Sequence, residues 1–208
     1  MASHDHPDHD GQDHDGQDHD GQDPPADLAE LCRWERAGRR LKYLCFWGHR
    51  PGRGGGVGPW VLSQWWPAPF TVDGVRYATA EHFMMAAKAR LFGDEETAAL
   101  VLAAPHPGAA KDLGRRVADF DEEVWRAHRL EIVIRGSLAK FGQDTALSSY
   151  LLGTRGHVLV EASPLDRVWG IGRAVDDPLA TSPSRWRGEN LLGFALMRAR
   201  SALAEGAG

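Results

Sequence analysis

The chain has 208 residues with 42% hydrophobic side chains, enough for one sizeable domain and a tail but not for two domains. Its net charge of -5 is unevenly placed: residues 1–23 hold eight Asp and no Lys or Arg, which leaves 24 basic against 21 acidic side chains in the remainder. A body so near neutral is no electrostatic clamp for nucleic acid, although it has cations enough for a small anionic ligand.

Residues 1–25 read as a disordered, acidic, His/Asp-rich tail in which the unit Asp-His-Asp-Gly-Gln begins at Asp8, Asp13 and Asp18. No fixed geometry there would hold ligands together, so no metal is expected. Cys32 and Cys45 match no metal or redox spacing. Met1 is followed by no apolar run and no stretch has transmembrane length, so the reading is a cytoplasmic chain with reduced thiols.

Residues 26–42 form a helical lead-in carrying Leu28, Leu31 and Trp34, and the stretch from Lys42 to Trp47 reads as a first strand. The run Gly52–Gly58 lacks the Gly-Lys-Ser/Thr ending of a phosphate loop and is taken as surface loop. Phe70–Tyr77 is a hairpin turning at Asp73-Gly74. A helix follows Thr79, a second covers Glu95–Ala103 behind Asp94, and a third starts at Pro107. A longer helix from Asp121 to about Gly142 carries Val124, Leu130, Ile134 and Leu138 as an apolar stripe. Another runs over Asp144–Leu152 and stops at Gly153. His157–Ala162 is a buried strand, and a last helix covers about Glu189–Ala204 with Leu192, Leu196 and Leu203 inward. The expected fold class is α+β, mainly helical, with the short strands in one small sheet.

Three stretches carry chemistry. In the helix after Thr79, Glu81, Met85 and Lys88 stand at i, i+4 and i+7 on one face, about 10 Å from end to end. They read either as the two ends and apolar floor of a cleft or as a solvated rim. Lys111 and Arg115, at i and i+4, present two cations to a phosphate or to water. After the strand at 157–162 comes a carboxylate, an indole and two glycines: Asp166, Trp169, Gly170 and Gly172. Asp166 is a base, nucleophile, sugar-orienting group or turn cap. Trp169 would stack on a flat heterocycle, and the glycines let backbone approach closely. Asn190 caps the last helix or bonds a base edge.

The segments Thr79–Ala89, Asp166–Gly172 (Asp-Arg-Val-Trp-Gly-Ile-Gly) and Trp186–Gly193 (Trp-Arg-Gly-Glu-Asn-Leu-Leu-Gly), in that order, resemble the NADAR family, also called YbiA-like. Phe46-Trp47, Pro69-Phe70, Lys111–Arg115 and Lys140-Phe141 support the likeness, which covers about residues 43–204. Ser63-Gln64-Trp65-Trp66 departs from the family's usual Ser-Asn-aromatic form. The resemblance implies a compact single domain at 43–204 that hydrolyses N-glycosidic bonds with no metal or other cofactor. It implies a small phosphorylated N-riboside as substrate, namely phosphoribosylamino-pyrimidine intermediates of riboflavin biosynthesis. The alternatives are removal of ADP-ribose from modified guanine bases in nucleic acid, or a non-catalytic ADP-ribose or nucleotide binder. No membrane or obligate protein partner is indicated.

Cleavage of such a bond builds positive charge at the anomeric carbon and negative charge on the leaving base. Glu81 and Asp166 are therefore expected to do the acid/base and sugar-orienting work. Lys88 is expected as nucleophile or electrostatic partner. Trp47, Trp169, Gly170 and Asn190 are expected around the base, and Lys111 and Arg115 at the phosphate.

Overall fold

The computed structural model describes residues 23–52 and 55–206. The expected disorder of the tail, and part of the glycine-rich loop, concern residues that lie outside this range. Helix starts follow the side-chain acceptors. α1 (Leu28–Arg36), α2 (Ala80–Leu91), α3 (Glu95–Leu102), α4 (Pro107–Gly114), α5 (Glu122–Gly142) and α6 (Thr145–Gly153) begin behind Asp27, Thr79, Asp94, His106, Asp121 and Asp144. Each of these side chains accepts a bond from a free N–H in the first turn. The last helix, α7 (Leu191–Glu205), has no side-chain cap; the residue before it, Asn190, is left-handed at φ 56°.

Among the described residues the strands lie in two pairs where the sequence suggested one sheet. β2 (Phe70–Val72) and β3 (Val75–Tyr77) make the expected hairpin, with positive φ at both Asp73 and Gly74. Its free edge is engaged by a side chain instead of a third strand: Gln143, just past α5, receives a bond from the Thr71 N–H at 2.9 Å and donates to the Thr71 carbonyl at 2.7 Å. The other pair, β1 (Lys42–Phe46) and β4 (His157–Glu161), is parallel and in register from Lys42–His157 to Phe46–Glu161. Val158, Leu159 and Val160 are all buried, as a covered parallel strand requires.

α2 is the centre of the molecule. Every residue from Ala80 to Met85 is buried, including two polar ones, and α3, α4 and α5 pack around it. His82 is satisfied by the Thr79 hydroxyl at 2.8 Å and the Ala104 carbonyl at 3.1 Å. Glu81 is not, and its Oε1 has no partner among the described residues.

The inward face of α5 differs from the expected stripe. Val124 is exposed, and the buried side carries Trp125, Val133, Ile134 and Phe141 together with Arg129 and Lys140. Two long cations on the core side shift the apparent apolar period. Both are paired: Arg129 with Glu189 at 2.8 Å, and Lys140 with the Val61 and Ser63 carbonyls at 2.6 and 2.8 Å. Burial pushes the Lys140 ammonium down to about 7. No described helix is long and apolar enough to cross a membrane.

α7 lies on β4 through Gly193, where a Cβ would run into the Leu159 carbonyl oxygen and the Asn190 amide. Helix propensity alone would make Gly193→Ala stabilising by about 1 kcal/mol. The clash is with backbone, which cannot rotate away, so the expected outcome is a net loss of ~1–3 kcal/mol. A urea midpoint at or above that of the parent protein would contradict this packing.

Candidate active site

A cavity of about 210 Å³ opens where α2 meets α4, the segment at Ser63–Trp65, the end of β4 and the loop that follows it. That is below the ~300–1,000 Å³ of pockets that enclose whole drug-sized ligands, so it suits one sugar-sized group with the rest of a ligand at the mouth. Its chemistry is a convergence of three carboxyl groups and three cations.

Glu81 is 3% exposed in the first turn of α2, and its N–H donates to the Gln64 carbonyl at 3.0 Å. Burial pushes its carboxyl up to about 7; the Lys111 ammonium and a hydrogen bond with the Trp65 side chain pull it back, and the Asp166 carboxylate adds to the rise. Asp166 lines the same cavity, with Oδ1 accepting the N–H groups of Val168 at 2.9 Å and Trp169 at 2.8 Å. It is both a turn cap and a cavity residue, two readings that the sequence had set against each other.

Glu161, which sequence reasoning gave no role, is the third carboxyl. It is the last residue of β4, and its Oε2 is buried with no partner among the described residues. Burial raises it to about 8, helped by the charges of Asp166 and Glu81 and opposed by Lys111. The available signal was position: a lone carboxylate ending an apolar strand, at the carboxyl end where α/β folds gather ligands.

Lys88 lines the cavity too, but its Nζ donates to the Gly114 carbonyl at 2.8 Å and lies 4.0 Å from the Phe120 ring centroid. Burial lowers its proton affinity, and Glu122 partly restores it. Lys111 and Arg115 reach the cavity from α4 and its end. Arg115 is bonded to Asp112 at 2.8 Å, yet both are largely exposed, so the pair is weak and open to exchange for a ligand anion. Trp169 and Met85 line the cavity as expected.

Three expected residues do not line it. Trp47 stands beyond the end of β1, 58% exposed. Gly170 is buried in packing: a Cβ there would lie 2.8 Å from the Glu161 carbonyl oxygen and 3.0 Å from the Ser163 Cβ. Asn190 neither caps α7 nor lines the cavity. It is fully buried, with its amide donating to the Leu159 carbonyl at 2.9 Å and its Oδ1 accepting the Glu161 N–H at 2.9 Å. Both ends of that side chain are already used by backbone. Among the described residues no group of three His, Cys, Asp or Glu is placed to hold a metal ion.

The family model described as NADAR domain matches residues 45–204. An N-glycosidase of Acanthamoeba polyphaga mimivirus is 37% identical over 164 residues, covering 76% of this chain and 95% of that protein. The Escherichia coli N-glycosidase YbiA is 30% identical over 136 residues, 65% of this chain and 76% of the relative. A chloroplastic riboflavin biosynthesis protein of Zea mays is 37% identical over 102 residues, 47% of this chain but only 15% of that protein. The NMR structure of Escherichia coli YbiA superposes with a TM-score of 0.64 at 25% identity, covering 81% of this chain and 89% of the other.

The raised carboxyl of Glu81 makes a prediction about stability. Its folded value, about 7, lies above the ~4.3 of an unfolded glutamate, so between those values the folded state holds more protons and stability falls as pH rises. Glu81→Gln, which cannot ionise, should therefore gain on the parent protein from pH 4 to 7 and run parallel to it outside that window. Urea titrations at a series of pH values check this; a difference constant with pH would contradict the buried placement.

Proposed function

The chain belongs to the NADAR family, and we propose on that footing that it hydrolyses the ribose–base N-glycosidic bond of a phosphorylated N-riboside, freeing the base and ribose 5-phosphate. The observation that carries this reading is the set of three cavity carboxyls, two of which, Glu81 and Glu161, keep a buried oxygen without a partner among the described residues, beside the Lys111 ammonium. A glycosyl hydrolase needs one group that gives a proton and one that takes it, and unequal environments supply both at one pH. Glu81 and Asp166 face the sugar. Of these two, Glu81 is the group that takes the proton of water, while Asp166, fixed by two amide N–H groups, steadies positive charge at the anomeric carbon.

Lys88 fits the electrostatic role better than the nucleophilic one, because its Nζ already donates to Gly114 and rests over Phe120. Lys111 and Arg115 meet the phosphate at the mouth, and Trp169 packs against the base. The favoured substrate class is the phosphoribosylamino-pyrimidine intermediates of riboflavin biosynthesis. The similarity to the Zea mays protein supports that choice, as does a near-neutral body poorly suited to a nucleic-acid backbone.

One observation favours a second reading, removal of ADP-ribose from guanine bases. Trp47 is exposed outside the cavity, where a longer ligand would find a second stacking surface. A non-catalytic binder would use the same cations and indole but would have no need of three carboxyls.

Mass spectrometry of products separates these readings, after incubation with a ribosylaminopyrimidine phosphate and, separately, with a guanine-ADP-ribosylated oligonucleotide. Base release from the first is expected; release from neither would leave only binding. Glu81→Gln should abolish turnover with an unchanged far-UV circular dichroism spectrum. Lys111→Ala should raise KM about ten- to a hundredfold for the phosphorylated riboside, the worth of one charge-assisted bond, and leave the dephosphorylated analogue unaffected. Equal losses on both would remove Lys111 from the phosphate.

A further inference from the structure

We propose that Glu161, at the carboxyl end of β4, is the general acid that protonates the leaving nitrogen, and that Asn190 is the positioning residue that sets it. This assignment rests on the N-glycosidase reading and deepens it.

The geometry separates the three cavity carboxyls by what their oxygens meet. Asp166 accepts two backbone N–H groups on Oδ1, partners that call for an acceptor there. Glu81 is hydrogen-bonded with the Trp65 side chain and lies in the field of the Lys111 ammonium. At Glu161 the Lys111 field acts alone. No donor reaches its buried Oε2, and the charges that bear on it are Asp166 from the loop and Glu81 from α2, with only Lys111 from α4 opposing them. A carboxyl in that setting keeps its proton to a higher pH than Glu81 does. A protonated carboxyl is also the only form of this side chain that can donate to a leaving nitrogen.

The backbone of Glu161 is fixed on every side. Its N–H donates to Asn190 Oδ1 at 2.9 Å, and its carbonyl accepts the N–H groups of Ser163 at 2.9 Å and Ile171 at 3.0 Å. The next residue, Ala162, donates to the Phe46 carbonyl at 2.9 Å. Asn190 ties β4 to the start of α7 from a left-handed backbone position, so its side chain splints the strand end that carries the acid. In the step itself the C1′–N bond breaks and its electron pair goes to the nitrogen, which takes the Glu161 proton. Water adds to C1′ and gives a proton to Glu81, and transfer from Glu81 back to Glu161 restores both groups.

Base release by the parent protein and by Glu161→Gln is measured on the phosphorylated riboside across the pH range, with carboxyl titrations of both followed by ¹³C NMR. The parent should show a bell-shaped profile, and the variant should bind substrate equally, lose about 10²–10⁴-fold in kcat and lack the high-pH limb. The carboxyl that titrates near 8 in the parent should be missing from the variant's spectrum. Asn190→Ala should move that titration and lower kcat more than it raises KM. A variant with parental kcat, a high-pH limb that survives Glu161→Gln, or a Glu161 resonance already ionised at neutral pH would each overturn the assignment. An inactive parent whose Glu161 nonetheless titrates near 8 would instead refute the N-glycosidase reading.

Discussion

A carboxyl group held inside the central helix without a full set of partners is the constraint around which the rest of the molecule is arranged. Glu81 lies on α2 where every neighbour from Ala80 to Met85 is buried, and one of its oxygens meets no donor among the described residues. Burying an unpaired carboxyl costs free energy, most of all when it is ionised, and a core selected for stability alone would not carry one. The adjacent His82 makes the contrast, since the same helix turn satisfies both of its ring nitrogens. Glu81 and Glu161 each keep a buried oxygen without a partner among the described residues, and both side chains line one cavity.

One side of that cavity is irregular backbone, the Ser63–Trp65 segment and the loop after β4, fixed by side chains in place of a sheet. Lys140 holds the carbonyls of Val61 and Ser63 and so sets the segment that presents Gln64 and Trp65 to Glu81. Asp166 closes the turn that carries Trp169, and Asn190 ties β4 to the start of α7. Each bond contributes only about 1 kcal/mol net, but leaving its buried partner unpaired would cost ~1–3 kcal/mol. The geometry is therefore stiff where chemistry needs it. Asn190 and Gly170, which resemble ligand contacts in the sequence, are packed into the frame behind the cavity.

Low dielectric and like charge then do the rest. Glu81 and Glu161 share one small space with Asp166 and the Lys111 ammonium, and both hold their protons more tightly than a solvated carboxyl does. Donors and cations reach some of these oxygens and not others, so three similar side chains stand in different environments.

Much of this was legible in the chain. The helix starts at Thr79, Asp94, Asp121 and Asp144, the Asp73-Gly74 turn and the apolar run at 158–160 are local effects, settled within a few residues by capping, turn geometry and hydrophobic burial. The single face shared by Glu81, Met85 and Lys88 follows from helical period in the same way, and all three line the cavity. Tertiary structure alone decided the remainder. Glu161 looked like the end of a strand, and Asn190 and Gly170 looked like ligand contacts, because their partners lie about ten to thirty residues away in sequence. Whether a polar side chain faces a cavity or a backbone carbonyl depends on packing between distant elements, and no local period encodes that.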